Sequence, residues 1–165
     1  MPVITVVPPQ SCTNLALAEF RRKVADGGEV NTKPLASLTS NALVLGFARY
    51  GDVLIGVGAI KRPYGQYRDR VFEKAASVLN PSDFDFELGW FYIDPAHRGK
   101  RLTSSLVSAL LPLLLEAPAY ATSRTDNVRM HSSLRSAGFR EEGTPYQSKD
   151  AGVQLQLFVC GKQAV

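Results

Sequence analysis

Residues 85–93 read DFELGWFYI, a strand that is apolar on both parities. Phe86, Leu88, Trp90 and Tyr92 fall on one face, Phe91 and Ile93 on the other. Such a strand has to be covered on both sides, which suits the centre of a sheet with helices above and below it. It runs through a basic loop, HRGKR at 97–101, into a helix over 103–115 that is apolar nearly all round and therefore buried. Pro112 should kink that helix or end its last turn early. One residue breaks the pattern. Glu87 stands inside the central strand, where an unpaired anion is costly to bury.

The rest of the chain supplies the other layers. A β-branched strand at 3–7 ends at Pro8-Pro9. A helix follows, capped by Ser11 or Thr13, with Leu17, Phe20 and Val24 on one face and Gly27-Gly28 as its stop. Residues 29–41 read as a polar loop holding a short helix near 34–38. Strands at 42–50 and 53–61 are joined by Gly51-Asp52, a hairpin signal. The excursion 62–84 holds a helix at 67–78, with Val71 and Ala75 inward and Asn80-Pro81 closing it. A strand at 120–123, a helix at 127–137 and a hairpin of 139–147 with 153–160 complete the order β–α–α–β–β–(helix)–β–α–β–α–β–β. This is an α/β chain with a mixed sheet and helices on both faces.

At 165 residues the chain is expected to form a single domain, 1–165, without repeats or low-complexity tracts. A hydrophobic share of 45% and a charged share of 21% exclude disordered and fibrous classes. The net charge of +4 favours anionic partners only weakly. Cys12 and Cys160 have neither disulfide-framework nor metal-ligand spacing, so no metal is expected. The N-terminus has no signal-peptide pattern, and the longest apolar run carries Pro112 and Glu116 and is too short for a membrane span. A soluble cytoplasmic protein without membrane partners is expected.

The loop has its own chemistry. Backbone N–H groups of Gly99, Lys100, Arg101, Leu102, Thr103 and Ser104 cluster where a helix begins and offer a diphosphate several hydrogen bonds. Arg98, Lys100 and Arg101 add charge of complementary sign. No G-x-x-x-x-G-K-[ST] occurs, so a P-loop nucleotidase is a poor fit.

Two segments, IDPAHRGKRLT at 93–103 and NVRMHSSLRSAGF at 127–139, occur in this order within this topology. Together they resemble the GNAT superfamily of N-acetyltransferases. The resemblance implies a GNAT-like fold whose central, mostly antiparallel sheet has about seven strands. It implies acetyl-CoA (coenzyme A) as co-substrate, its pyrophosphate on the loop. Arg98 matches the family's R/Q-x-x-G-x-G/A pattern, while Arg101 and Thr103 replace its two small residues. The donors survive that replacement if the backbone there stays helical. By the same resemblance the pantetheine arm bonds the strand at Phe91, Tyr92 and Ile93, with the donor near Phe91 polarising the thioester carbonyl. Asn127 matches an asparagine that bonds the arm, its alternative role being an ordinary N-cap.

Some members carry a glutamate at the place of Glu87, where it removes the amine proton through water. The alternative is a strand-edge glutamate paired with an arginine or facing solvent; Asp85 is the weaker substitute. Many members have a tyrosine shortly before Gly-Phe that protonates the thiolate. Here Leu134 stands in its place, leaving Ser133 or water, with His131 solvent-facing or capped. The expected function is acetyl transfer from acetyl-CoA to a primary amine in a ternary complex. The alternatives are a degraded CoA-binding module, or an enzyme whose acceptor is a protein amine or charged tRNA; nucleic acid is otherwise not favoured. Acceptor identity is expected in 27–40, in the excursion with Tyr64 and Tyr67, and in the turn 143–152. The excursion serves either as a wall of the acceptor cleft or as a homodimer contact.

Overall fold

The computed structural model describes residues 1–28 and 31–161. Its elements run β1 (Val3–Val7), α1 (Asn14–Asp26), α2 (Leu35–Ser40), β2 (Val44–Tyr50), β3 (Val53–Lys61), α3 (Gly65–Lys74), β4 (Phe86–Ile93), α4 (Leu102–Leu110), β5 (Ala119–Arg124), α5 (Val128–Ser136), β6 (Arg140–Gln147) and β7 (Gln154–Cys160). The seven strands follow the order β1-β2-β3-β4-β5-β7-β6 in one sheet. Strand pairs β1–β2, β2–β3, β5–β7 and β6–β7 are antiparallel. β4 and β5 are parallel, with Phe86 opposite Ala119 and Glu87 opposite Tyr120. The element order and the mixed sheet are those read from the sequence. The chain divides into two compact units, Met1–Arg62 with Leu88–Leu113, and Pro63–Glu87 with Leu114–Val165.

In the first unit, the alternation of β2 and β3 sends side chains to two helical layers. α1 starts where Thr13 accepts a hydrogen bond from the Ala16 amide at 3.1 Å. Its Phe20 and Val24, with Leu35 of α2, pack on Leu45, Phe47, Val57 and Trp90. Full burial of a side chain such as Phe20 contributes roughly 1.5–3 kcal/mol. The opposite face takes α4, whose Leu102 and Leu106 pack on Ala48, Ile55 and Ile93. Small residues make room there: Gly46 faces Gly58 and Ala48 faces Gly56 across the β2–β3 ladder. A Cβ on Gly58 would stand 2.5 Å from the Phe91 ring, and one on Gly56 2.5 Å from Ile93 Cδ1. Phe91 and Ile93 thus lie on one face of β4 and Trp90 and Tyr92 on the other, as the pattern predicts.

The second unit is organised by the excursion. α3 starts two residues before the predicted position and ends four before it. Ala76 takes a left-handed φ of 52°, and the amides of Ala76 and Ser77 bond the carbonyls of Glu73 and Phe72. That is a Schellman stop, usually signalled by glycine and here formed at alanine. Asn80 instead caps the separate 3-10 turn Pro81–Asp83. Val71, Phe72 and Ala75 pack on Phe84, Tyr120, Leu157 and Val159. The helix predicted at 103–115 ends at Leu110 and continues as the 3-10 turn Leu111–Leu114, the early end expected of Pro112. The loop predicted at 29–41 holds α2 at Leu35–Ser40; Glu29 and Val30 lie outside the described residues.

β6 loses register between Glu142 and Tyr146, and the irregular stretch docks on the end of α3. The Thr144 amide bonds the Ala75 carbonyl at 2.8 Å, and Ser77 Oγ donates to Glu142 at 2.8 Å. Gly143, at φ 66°, leaves no room for a side chain: a Cβ there would lie 2.0 Å from the Ala75 carbonyl oxygen. Gly143→Ala is expected to cost about 2 kcal/mol or more through left-handed strain and overpacking together. A thermal-unfolding midpoint equal to that of the wild type would show that this contact positions nothing.

Candidate functional site

Glu87 is buried, with a relative exposure of 3%. Its carboxylate does not face solvent. Tyr67 Oη donates to Oε1 at 3.4 Å and Tyr120 Oη to Oε2 at 3.5 Å. The first comes from α3 and the second from β5, where Tyr120 is the register partner of Glu87. A third phenol, Tyr146 of β6, is held above its ordinary range by burial first and then by the Glu87 charge. Its hydroxyl oxygen is buried and has no hydrogen-bond partner among the described residues. The Tyr67 phenol is raised mainly by Glu87 and then by burial, and that of Tyr120 mainly by burial and then by Glu87. All three phenols therefore stay neutral over the working pH range and act as dipoles around one carboxylate.

Further along β4 the backbone leaves the extended region. Trp90 has a φ of 58°, a conformation found inside strands at bulges, which break the ladder and re-aim the chain. Its ring is 8% exposed, packs edge-on against Phe20 at 6.1 Å, and carries Lys61 Nζ at 5.0 Å, so it belongs to the core. Arg98 folds back on the strand end: its Nε donates to the Ile93 carbonyl at 3.0 Å, and its guanidinium lies 5.8 Å from the Tyr92 ring centroid. The following Asp94 is held by Lys23 of α1, with both carboxylate oxygens at 2.7 Å.

The loop then makes a shallow nest. Gly99 has φ 80° and Arg101 φ 58°, and Arg101 is the N-cap of α4. The first hydrogen bond of the helix runs from the Ser105 amide to the Arg101 carbonyl, so the amides of Leu102 and Thr103 precede its ladder. Alternating left-handed residues turn successive N–H groups to one side, and this geometry binds anions. Nothing lies within 4 Å of a Cβ built on Gly99, Lys100 and Arg101 are exposed, and residues 95–105 contain no acidic side chain. These residues fit a diphosphate.

The sequence over residues 10–139 matches the acetyltransferase (GNAT) family. The chain belongs to that family. Its fold is shared with solved proteins at low identity. ElaA of Escherichia coli is 13% identical with a TM-score of 0.68, over 97% of this chain and 99% of that one. The ribosomal-protein-S18-alanine N-acetyltransferase of Escherichia coli is 14% identical with a TM-score of 0.66, over 99% and 97%. The protein yncA of Salmonella typhimurium, solved with its cofactor acetyl-CoA, is 14% identical with a TM-score of 0.65, over 100% and 97%. No curated protein sequence matches this chain.

Against the GNAT pattern, the loop expectation needs one correction. The backbone at Arg101, the N-cap of α4, is left-handed, not helical. Glycine takes this conformation without strain, and the arginine takes it at a cost. Asn127 is an N-cap: its Oδ1 accepts from the Met130 amide at 3.1 Å. Leu134 is fully buried. Ser133 Oγ is bonded to the Arg129 carbonyl at 3.2 Å. His131 is buried, not solvent-facing, with Nε2 2.9 Å from the Arg124 carbonyl oxygen and its ring 4.9 Å from that of Phe158. Asp85 is exposed, 3.8 Å from Arg68. A cleft of about 400 Å³ opens beside Arg124, Asp126, Gln147 and Val153, at the edge of the 143–152 turn, and Glu87 does not line it.

Sequence reasoning missed Tyr120 and Tyr146. A tyrosine opposite a glutamate across a parallel pair is a signal only once the β4–β5 register is known. Two tests follow. Arg101→Gly is expected to raise stability and Arg101→Val to lower it, a spread of about 2 kcal/mol between them; equal urea midpoints would remove the strain. The raised phenols give a second expectation. Below about pH 10 they add no pH dependence, because folded and unfolded chains both keep these protons. Above it the unfolded chain loses them first, so stability falls by up to about 1.4 kcal/mol per pH unit for fully buried Tyr120. Tyr120→Phe should flatten that alkaline fall, measured as the urea midpoint between pH 9 and 11; an unchanged slope would contradict it.

Proposed function

We propose that the chain is an N-acetyltransferase that moves an acetyl group from acetyl-CoA to a primary amine by direct attack in a ternary complex. The observation that carries this reading is Glu87, a carboxylate buried in β4 among neutral phenols, in the strand that leads into the basic loop. Acetyl-CoA supplies the activated acetyl group. Gly99, Lys100, Arg101, Leu102, Thr103 and Ser104 receive the diphosphate with backbone N–H groups, and Arg98 adds charge. Phe91, Tyr92 and Ile93 offer backbone groups to the pantetheine arm. The Phe91 amide follows the left-handed Trp90, where the strand leaves extended geometry, and is assigned the donor role that polarises the acetyl carbonyl. The Oδ1 of Asn127 is committed to its cap, which leaves its NH₂ for the arm.

Glu87 takes the proton that the amine loses as it attacks, directly or through one water. Tyr67 and Tyr120 hold the carboxylate in place. The thiolate takes its proton from water. Phenols held above their ordinary range are poor donors to a thiolate, whose acid form has a pKa of about 8.5. Buried Leu134 favours one second reading, a CoA-binding module without turnover.

The test is acetyl-CoA consumption over a panel of amines, beside isothermal titration with CoA. Glu87→Gln is expected to lower kcat/KM by about 10²–10⁴ with CoA affinity kept. Unchanged turnover in that variant would remove Glu87 from the mechanism, and CoA binding without turnover of any amine would establish the second reading.

A further inference from the structure

Glu87 is too deeply buried for an amine to reach it unless a neighbour yields. Its neighbours differ in how far they can. Tyr120 is fully buried in the sheet, and the Tyr146 hydroxyl is buried against the α3–β7 cluster. Tyr67 is 39% exposed, yet its hydroxyl touches Oε1. At 3.4 Å that bond is longer than the usual 2.5–3.0 Å for O–H···O contacts, so a charged N–H donor replaces it readily. Tyr67 is also hydrogen-bonded to the Thr122 side chain, and it senses Tyr146 electrostatically. Val71, Phe72, Phe84, Leu157 and Val159 form the buried apolar cluster that contains Tyr120 and against which Tyr146 packs. The adjacent cation, Arg68, is paired with Asp69 at 3.0 Å and lies 3.8 Å from Asp85.

We infer that Tyr67 is the acceptor-specifying residue of the Glu87 site. This rests on the proposed acetyltransferase reading and names its acceptor class. The amine approaches along the Tyr67 ring and takes the place of its hydroxyl on Oε1. The displaced hydroxyl passes to the Tyr146 oxygen, which gains the partner it lacks. The half-exposed Tyr67 ring at the point of entry and the neutral hydroxyls around the carboxylate select a primary amine on an apolar stem, an arylalkyl or alkyl amine. A polyhydroxylated amine would leave its own hydroxyls unpaired against that ring.

Steady-state kinetics with phenethylamine, hexylamine, glucosamine and a peptide N-terminus test this, with calorimetric amine binding in the presence of CoA as a readout that needs no turnover. The wild type is expected to prefer the two apolar amines at least about tenfold in kcat/KM. Tyr67→Phe should lower the apolar-amine KM about threefold, because no hydroxyl competes for Oε1; Tyr67→Ala should raise it about tenfold by removing the ring. Both should leave the acetyl-CoA KM unchanged. Tyr146→Phe should raise the amine KM in the Tyr67 background and have no effect in the Tyr67→Phe background. A purely structural Tyr146 would instead lower the melting temperature in both backgrounds. Preference for glucosamine or the peptide, or a raised KM in Tyr67→Phe, overturns this inference alone. Failure to bind any amine or to turn it over overturns both readings.

Discussion

A carboxylate buried in a β-sheet has to be solvated by the protein, and most of what distinguishes this chain follows from how Glu87 is solvated. Burial of a bare carboxylate costs several kcal/mol. Two phenolic hydroxyls, from α3 and β5, take the place of water on its two oxygens. Both bonds are long, and a third phenol stands by with its hydroxyl buried and unpaired. The cradle is therefore polar enough to keep the side chain inside and loose enough to be rearranged by a stronger donor. A tighter set of bonds would stabilise the fold more and leave the carboxylate less able to change partners.

The cradle depends in turn on two departures from regular structure. Ala76 stops α3 with an alanine in a left-handed position, and Gly143 lets the irregular part of β6 touch the carbonyl of Ala75. The same device recurs along β4 and its loop, where Trp90, Gly99 and Arg101 all have positive φ. Left-handed non-glycine residues cost about 1 kcal/mol or more each and tend to collect where a chain must present its backbone. Here they bracket the amide of Phe91 and the nest at the start of α4. The tryptophan ring is packed in the core against Phe20, and the arginine is the N-cap of α4.

These particulars mark what was legible in the sequence. Period-2 and period-3.6 patterns gave the strands, the helices and the two-sided covering of 85–93, because burial repeats at those spacings whatever the tertiary detail. Thr13 was readable as one of two candidate caps beside Ser11, Asn127 as a cap or a cofactor contact, and Gly51-Asp52 as a hairpin, because each satisfies backbone groups within four residues. Glu87 was visible as a charge in an apolar strand. Tyr67, Tyr120 and Tyr146 were not visible as a group: they come from three elements, and their convergence depends on a two-residue parallel register and a bulge. The stop at Ala76 and the bend at Trp90 were hidden for another reason. Neither carries the glycine that usually announces a positive φ, although Gly89 precedes Trp90.

Leu134, which the resemblance sets where many members carry a tyrosine, is easier to understand beside this cradle. Leu134 is fully buried, in a helix whose His131 is tied to the Arg124 carbonyl and whose Ser133 is tied to Arg129. That face of α5 is built for packing. Three of the four phenols of the second unit, those of Tyr67, Tyr120 and Tyr146, are gathered instead around Glu87, where burial and the carboxylate hold them neutral. A phenol in that state is a good hydrogen-bond donor and a poor acid. In the proposed reaction this arrangement would place the demand on removal of the amine proton and on positioning of the carboxylate, and would leave the departing thiolate, a weak base, to solvent.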